Sequence, residues 1–79
     1  MTPEQERMLA EANERLLAAG FEAANQYAAE LLAKGRTIDE INAALKTYRI
    51  EQLEPWRVKS YRHIRRFILA PTAPTHLVQ

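Results

Sequence analysis

The densest set of chemically useful side chains in this sequence is Lys59, Arg62, His63 and Arg66, spaced i, i+3, i+4, i+7. On a helix that spacing puts all four on one strip about 10 Å long, because seven residues rise ~1.5 Å each. An arginine guanidinium meets a phosphate with two parallel donors, so such a strip suits a nucleic-acid backbone or an acidic protein surface. Neutralising four duplex phosphates gives a salt slope of about −0.9 × 4, or −3.6, which costs roughly 150-fold in affinity between 50 and 200 mM salt. One strip alone is therefore a weak, largely non-specific binder. Useful affinity needs a second copy, or help from Lys46 and Arg49. The same four residues also read as a solvated outer face, or as positive charge complementing a helix C-terminus.

The other reactive residues form no comparable group. Ser60 and His63 lie three apart, but no acid stands nearby to orient the imidazole, and one helix face does not make an oxyanion hole. His63 and His76 are the only histidines and have no thiolate or acidic cluster at ligand spacing. Asp39 is the only aspartate, and the glutamates are dispersed. Gly20 and Gly35 are the only glycines, so there is no glycine loop to cradle a phosphate. Trp56 and Tyr61 have faces on which bases can stack. At helical spacing they read better as core, with Trp56 a corner plug behind Pro55. The expected class is non-enzymatic, with no metal, no cofactor and no small-molecule substrate.

Charge divides the chain. Residues 1–45 carry eight acids against four bases, a net of −4; residues 46–79 carry seven bases against two acids, a net of +5. Such asymmetry marks either a polyanion-binding end or two halves that attract each other, within one chain or between two. Cysteine is absent, so neither disulfides nor thiolate metal sites exist. The first ten residues are charged and lack the apolar centre of a secretory signal. No apolar run approaches the ~18 residues that span a bilayer. A cytoplasmic protein without membrane contact is expected. At 79 residues the chain is one domain with a modest core, and a homodimer is an open option from size alone.

The elements that must position the basic strip are helices. Thr2, Pro3 and Gln5 form a start signal, and Leu9, Ala12, Leu16 and Ala19 mark one apolar face, so a first helix is predicted from Pro3 to Ala19 with Gly20 as its stop. A second runs from Phe21 to Lys34 and ends at Gly35, with Ala24, Tyr27, Ala28, Leu31 and Leu32 inward. A third opens on the capping box Thr37-Ile38-Asp39-Glu40 and carries Ile38, Ile41, Leu45 and Tyr48 inward. It ends near Leu53, because Pro55 disfavours helical geometry in the residue before it, with a break near Tyr48–Ile50 as the alternative. The fourth begins at Pro55 or Trp56 and ends near Ala70. Its apolar side is Val58, Tyr61, Ile64 and Ile68, opposite Lys59, Arg62, His63 and Arg66. Residues 71–79 contain two prolines and read as an extended or disordered tail, with Leu77 and Val78 as a conceivable docking peptide.

The predicted fold is all-α: a small bundle of three to four short helices over residues 1–70, with an extended C-terminal tail over 71–79. A helix-turn-helix through Leu31, Gly35 and Ile41 is an alternative, with Lys46 and Arg49 facing the major groove. Asp39 and Glu40 count against it, since they would meet phosphates at the helix start. In size and composition the chain is similar to small helical proteins of phages and mobile elements, which include DNA-binding regulators and stoichiometric inhibitors of host machines. The expected function is a nucleic-acid-binding accessory or regulator that works through Lys59, Arg62, His63 and Arg66, with Lys46 and Arg49. The alternative is a protein-interaction module, such as a phage-type inhibitor, that docks an acidic surface through the same helix or a partner on an apolar face.

Overall fold

In the computed structural model, which describes residues 1–70, the chain is all-helical but forms two rods where three to four short helices are predicted. Helix α1 runs without a break over Pro3–Ala33. The second rod consists of α2 (Ile38–Tyr48), a π-helical segment (Arg49–Leu53) and α3 (Glu54–Ile68), joined end to end through residues of right-handed helical conformation. The expected tail, residues 71–79, lies outside the described residues. No helix among the described residues is long and apolar enough to cross a membrane.

Both predicted capping boxes form. The Thr2 hydroxyl accepts from the Gln5 N–H at 3.1 Å while the Gln5 carboxamide oxygen accepts from the Thr2 N–H at 2.8 Å. Thr37 and Glu40 repeat the arrangement at 3.1 and 2.8 Å. Each box satisfies two backbone donors that a helix start would otherwise leave open. Gly35 ends α1 as predicted: at φ 81° it lets the Arg36 N–H reach Leu31 O (3.1 Å) and its own N–H reach Leu32 O (3.0 Å). That is the paired-bond Schellman ending, in which the left-handed residue is glycine because a Cβ would be strained there.

Gly20 is the first correction. It is not a stop but a mid-helix residue on the inner side of α1, and a Cβ placed on it would meet only the Trp56 ring, at 3.9 Å. The inward residues of α1 are Leu9, Asn13, Leu16, Gly20, Ala23, Tyr27 and Leu31, all buried or half-buried. They follow one another by three or four, the seam of a two-helix contact. Small side chains at Gly20 and Ala23 leave room there for the large Trp56.

The second correction concerns Pro55. It lacks an N–H, and its ring clashes with the carbonyl four residues back in a regular α-helix. The rod nevertheless continues. One wider turn absorbs the misfit: the Glu54 N–H donates to Arg49 O, five residues back. The extra residue also resets the phase. The inward residues run Ile41, Leu45, Tyr48, then skip five to Leu53, and resume Arg57, Tyr61, Ile64, Ile68. Without the π turn, the inner faces of α2 and α3 would be offset by ~100°. Val58, predicted inward, is 41% exposed, and Arg57 takes the inner position.

The rods run antiparallel. The Tyr27 and Tyr48 rings stack with centroids 4.6 Å apart near the connector. Gly20 faces Trp56 in the middle, and Arg57 Nη1 donates to Asn13 Oδ1 (3.5 Å) farther along. A helix-turn-helix, whose helices cross at about 90–120°, is thereby replaced by a hairpin. Only Leu9 and Leu16 are buried among the described residues. Each rod has a single neighbour, so three sides of each remain open to solvent.

Gly20→Ala should stabilise the chain by about 0.5–1 kcal/mol, since alanine is favoured in an unstrained helix interior. Gly35→Ala should destabilise it by roughly 1–2 kcal/mol, the cost of a left-handed alanine. Urea unfolding followed by circular dichroism measures both. A destabilised Gly20→Ala chain would show a turn at Gly20.

Candidate nucleic-acid interface

The strip predicted from spacing is present. Lys59, Arg62, His63 and Arg66 all lie on α3 and all are exposed. With Arg57 as the inward reference, 100° per residue places the four between about 140° and 240°, on the side turned away from α1. Among the described residues none of the four is in an ion pair or a side-chain hydrogen bond. The only two ion pairs there are local: Arg7–Glu4 at 3.9 Å and Arg57–Glu54 at 2.8 Å. The acids of α1 therefore do not neutralise the strip by direct contact.

Arg65 adjoins this set, about 80° from the Arg57 reference and so between the strip and the seam. It is exposed, and with Arg62, Arg66, Leu69 and Ala70 it lines a shallow depression of ≈ 420 Å³ at the end of α3. Arg62 and Arg66 thus share a concavity with a third arginine at one end of the strip. The signal was available in the adjacent pair Arg65-Arg66 beside the helix end.

The supporting bases are not brought to the strip. Lys46 is exposed on α2. Arg49 lies in the π segment and lines an apolar groove with Leu16, Leu17, Phe21 and Leu45. Ten residues separate Arg49 from Lys59, about 15 Å along the rod. Arg57 has a structural role that the sequence reading missed. Its Nη2 and Nε donate to the two Glu54 carboxylate oxygens at 2.8 and 3.3 Å, while Nη1 reaches Asn13 across the seam. An Arg three residues after a Glu, at the start of a helix whose partner carries an inward Asn, was the legible clue.

The groove itself, ≈ 330 Å³, is the other surface that sequence reasoning left out. Leu17, Phe21, Ala24, Ala28 and Leu32 recur at i, i+4, i+7, i+11, i+15 along α1. That stripe becomes visible only when α1 is read through Gly20. Trp56 is 40% exposed in the middle of the rod rather than plugging a corner. Ser60 and His63 make no hydrogen bond to each other among the described residues, and no group of three or more His, Asp or Glu that could hold a metal ion occurs there. No family model, curated protein or solved structure matches the chain.

Two carboxylates titrate below the ordinary glutamate range. Glu54 is lowered chiefly by its hydrogen bond from Arg57. Glu40 is lowered chiefly by the Thr37 backbone N–H that its carboxylate accepts. A carboxyl group whose folded pKa is depressed stabilises the fold above its unfolded value, about 4.3, and loses that contribution as pH falls through the folded value. Thermal midpoints should hold above roughly pH 5 and drop toward pH 3. The Glu40→Gln, Glu54→Gln double variant should start lower and fall less steeply, as read by melts across that range. An unchanged pH slope in the variant would remove both groups from the account.

Proposed function

We propose that this chain is a non-catalytic helical hairpin that binds nucleic acid through its phosphate backbone, using the outer side of α3. The carrying observation is that Lys59, Arg62, His63 and Arg66 are exposed together on the side turned away from the acidic α1, with no ion pair among the described residues. Arg65 extends the surface around the depression at the helix end. Phosphate contacts of this kind position a protein on a duplex without reading bases, so the binding is sequence-tolerant and strongly salt-dependent. Lys46 is displaced along the rod and makes a secondary contact on a long duplex, whereas Arg49 lines the groove and is left out of this surface.

A second reading has an observation of its own. The apolar stripe of α1 and the groove beside it favour docking of a protein, as expected of a stoichiometric inhibitor. The two readings separate in one experiment. Fluorescence anisotropy with labelled duplex and single-stranded oligonucleotides should detect binding at 50 mM salt and a steep loss by 200 mM. Arg62→Ala with Arg66→Ala should lower the salt slope by about 1.8, two contacts at ~0.9 each. Absence of binding at 50 mM salt contradicts the nucleic-acid reading and leaves the protein-docking one. Binding with an unchanged slope means that another face makes the contacts.

A further inference from the structure

Two helices side by side make one layer, and a layer with an apolar face calls for a second. Four large apolar residues stand open on one broad side of this hairpin: Leu17 at 48%, Phe21 at 74%, Leu32 at 64% and Ile38 at 72% exposed. The α1 members fall with Ala24 and Ala28 within an arc of about 80°, beside the seam rather than in it. On α2, Ile38 and Leu45 are seven residues apart and share a side. The groove runs between the two sets. Only Leu9 and Leu16 are buried among the described residues, so the hairpin core is thin, and with no cysteine here a disulfide does not reinforce it.

We propose that the occupant of this face is a second copy of the chain, seated so that each acidic α1 lies over the partner's basic rod in a four-helix bundle. Charge selects both the occupant and the arrangement. Helix α1 holds six acids against two bases, a net of −4, whereas residues 38–68 hold seven bases against four acids, a net of +3. Neither rod spends its charge on a direct ion pair to the other within the chain. A two-fold axis along the rods, in the plane between the layers, sets α1 against the partner's second rod twice over. An axis across the rods sets α1 on α1 and stacks −4 on −4. One interface made of the same patch on both copies satisfies the first arrangement without any other protein.

The area suffices. From Leu17 to Leu32 the stripe runs ~22 Å, and two helices side by side are ~20 Å wide, so each copy offers about 440 Å² in projection. A ridged helical face has more accessible area than its projection, and two such faces reach the ~1,000 Å² at which specific interfaces begin. The outer side of α3 stays at the edge of the bundle, so pairing doubles the basic strip and leaves it free. This inference stands apart from the nucleic-acid reading, because it is tested in protein alone.

The experiment is sedimentation equilibrium on the full chain without nucleic acid. At tens of micromolar the mass should be about 18 kDa, twice the 9.1 kDa of one chain. Leu17→Glu with Phe21→Glu should return it to the single-chain mass, whereas Phe67→Glu, 82% exposed on the opposite side of the layer, should leave the dimer intact. Should the double variant lose its helical signal, the wild type decides: its melting midpoint must rise with chain concentration. Raising NaCl from 50 to 200 mM should weaken dimerisation several-fold. A monomer at every concentration, with a concentration-independent midpoint, overturns the proposal and passes the face to another partner. A dimer that survives the double variant overturns the choice of face, and one that tightens with NaCl overturns the arrangement.

Discussion

The whole structure depends on one seam. Two rods of ~46 Å meet along a single line, and every inward side chain must stay on that line for 31 residues. Two local devices hold the phase. On α1, Gly20 continues the helix without a break and faces the Trp56 ring with room for a methyl group. On the second rod, the π turn at Arg49–Leu53 adds the one residue that carries the inner face past Pro55. Near the ends of this stretch the seam is held by a tyrosine stack and by the Glu54–Arg57–Asn13 chain of polar contacts.

The helix starts were legible because they are local chemistry. Thr2 with Gln5, and Thr37 with Glu40, satisfy backbone donors three residues away, and no tertiary contact is required to see it. Gly35 was legible for the same reason, since a capping box follows it within five residues. Gly20 misled because glycine has two uses, and only the partner helix shows which applies. A cue was present all the same: no Ser, Thr, Asp or Asn stands between Ala18 and Ala24 to start a new helix. Pro55 misled because its rule concerns regular α-helix, whereas a π turn removes the conflict at the cost of one residue of phase.

The same reasoning explains which parts of the candidate site could be seen. The strip of Lys59, Arg62, His63 and Arg66 lies within one uninterrupted stretch of α3, so its geometry follows from spacing alone. Lys46 and Arg49 lie across the π turn from it, where a wheel no longer extrapolates. The apolar stripe of α1 was divided between two predicted helices and so escaped notice. A hairpin that separates charge by rod, acidic on one side and basic on the other, carries opposite fields on its two edges. That separation leaves the basic edge and the apolar face on different sides of one architecture, so the proposed phosphate binding and the proposed self-association do not compete for the same residues.

The hairpin, the seam and the apolar stripe all follow from the unbroken α1. The cysteine-free chain accepts two spin labels cleanly, at Glu4→Cys and Glu30→Cys, both exposed. Pulsed dipolar spectroscopy, with labelled chain diluted in excess unlabelled chain, reads the distance between them. A continuous helix separates the two backbone positions by about 39 Å, 26 residues at ~1.5 Å each. A single narrow distribution centred near that value is the predicted result. A distribution below roughly 25 Å would mean that the chain folds back at Gly20 into two short helices, and the account would be wrong.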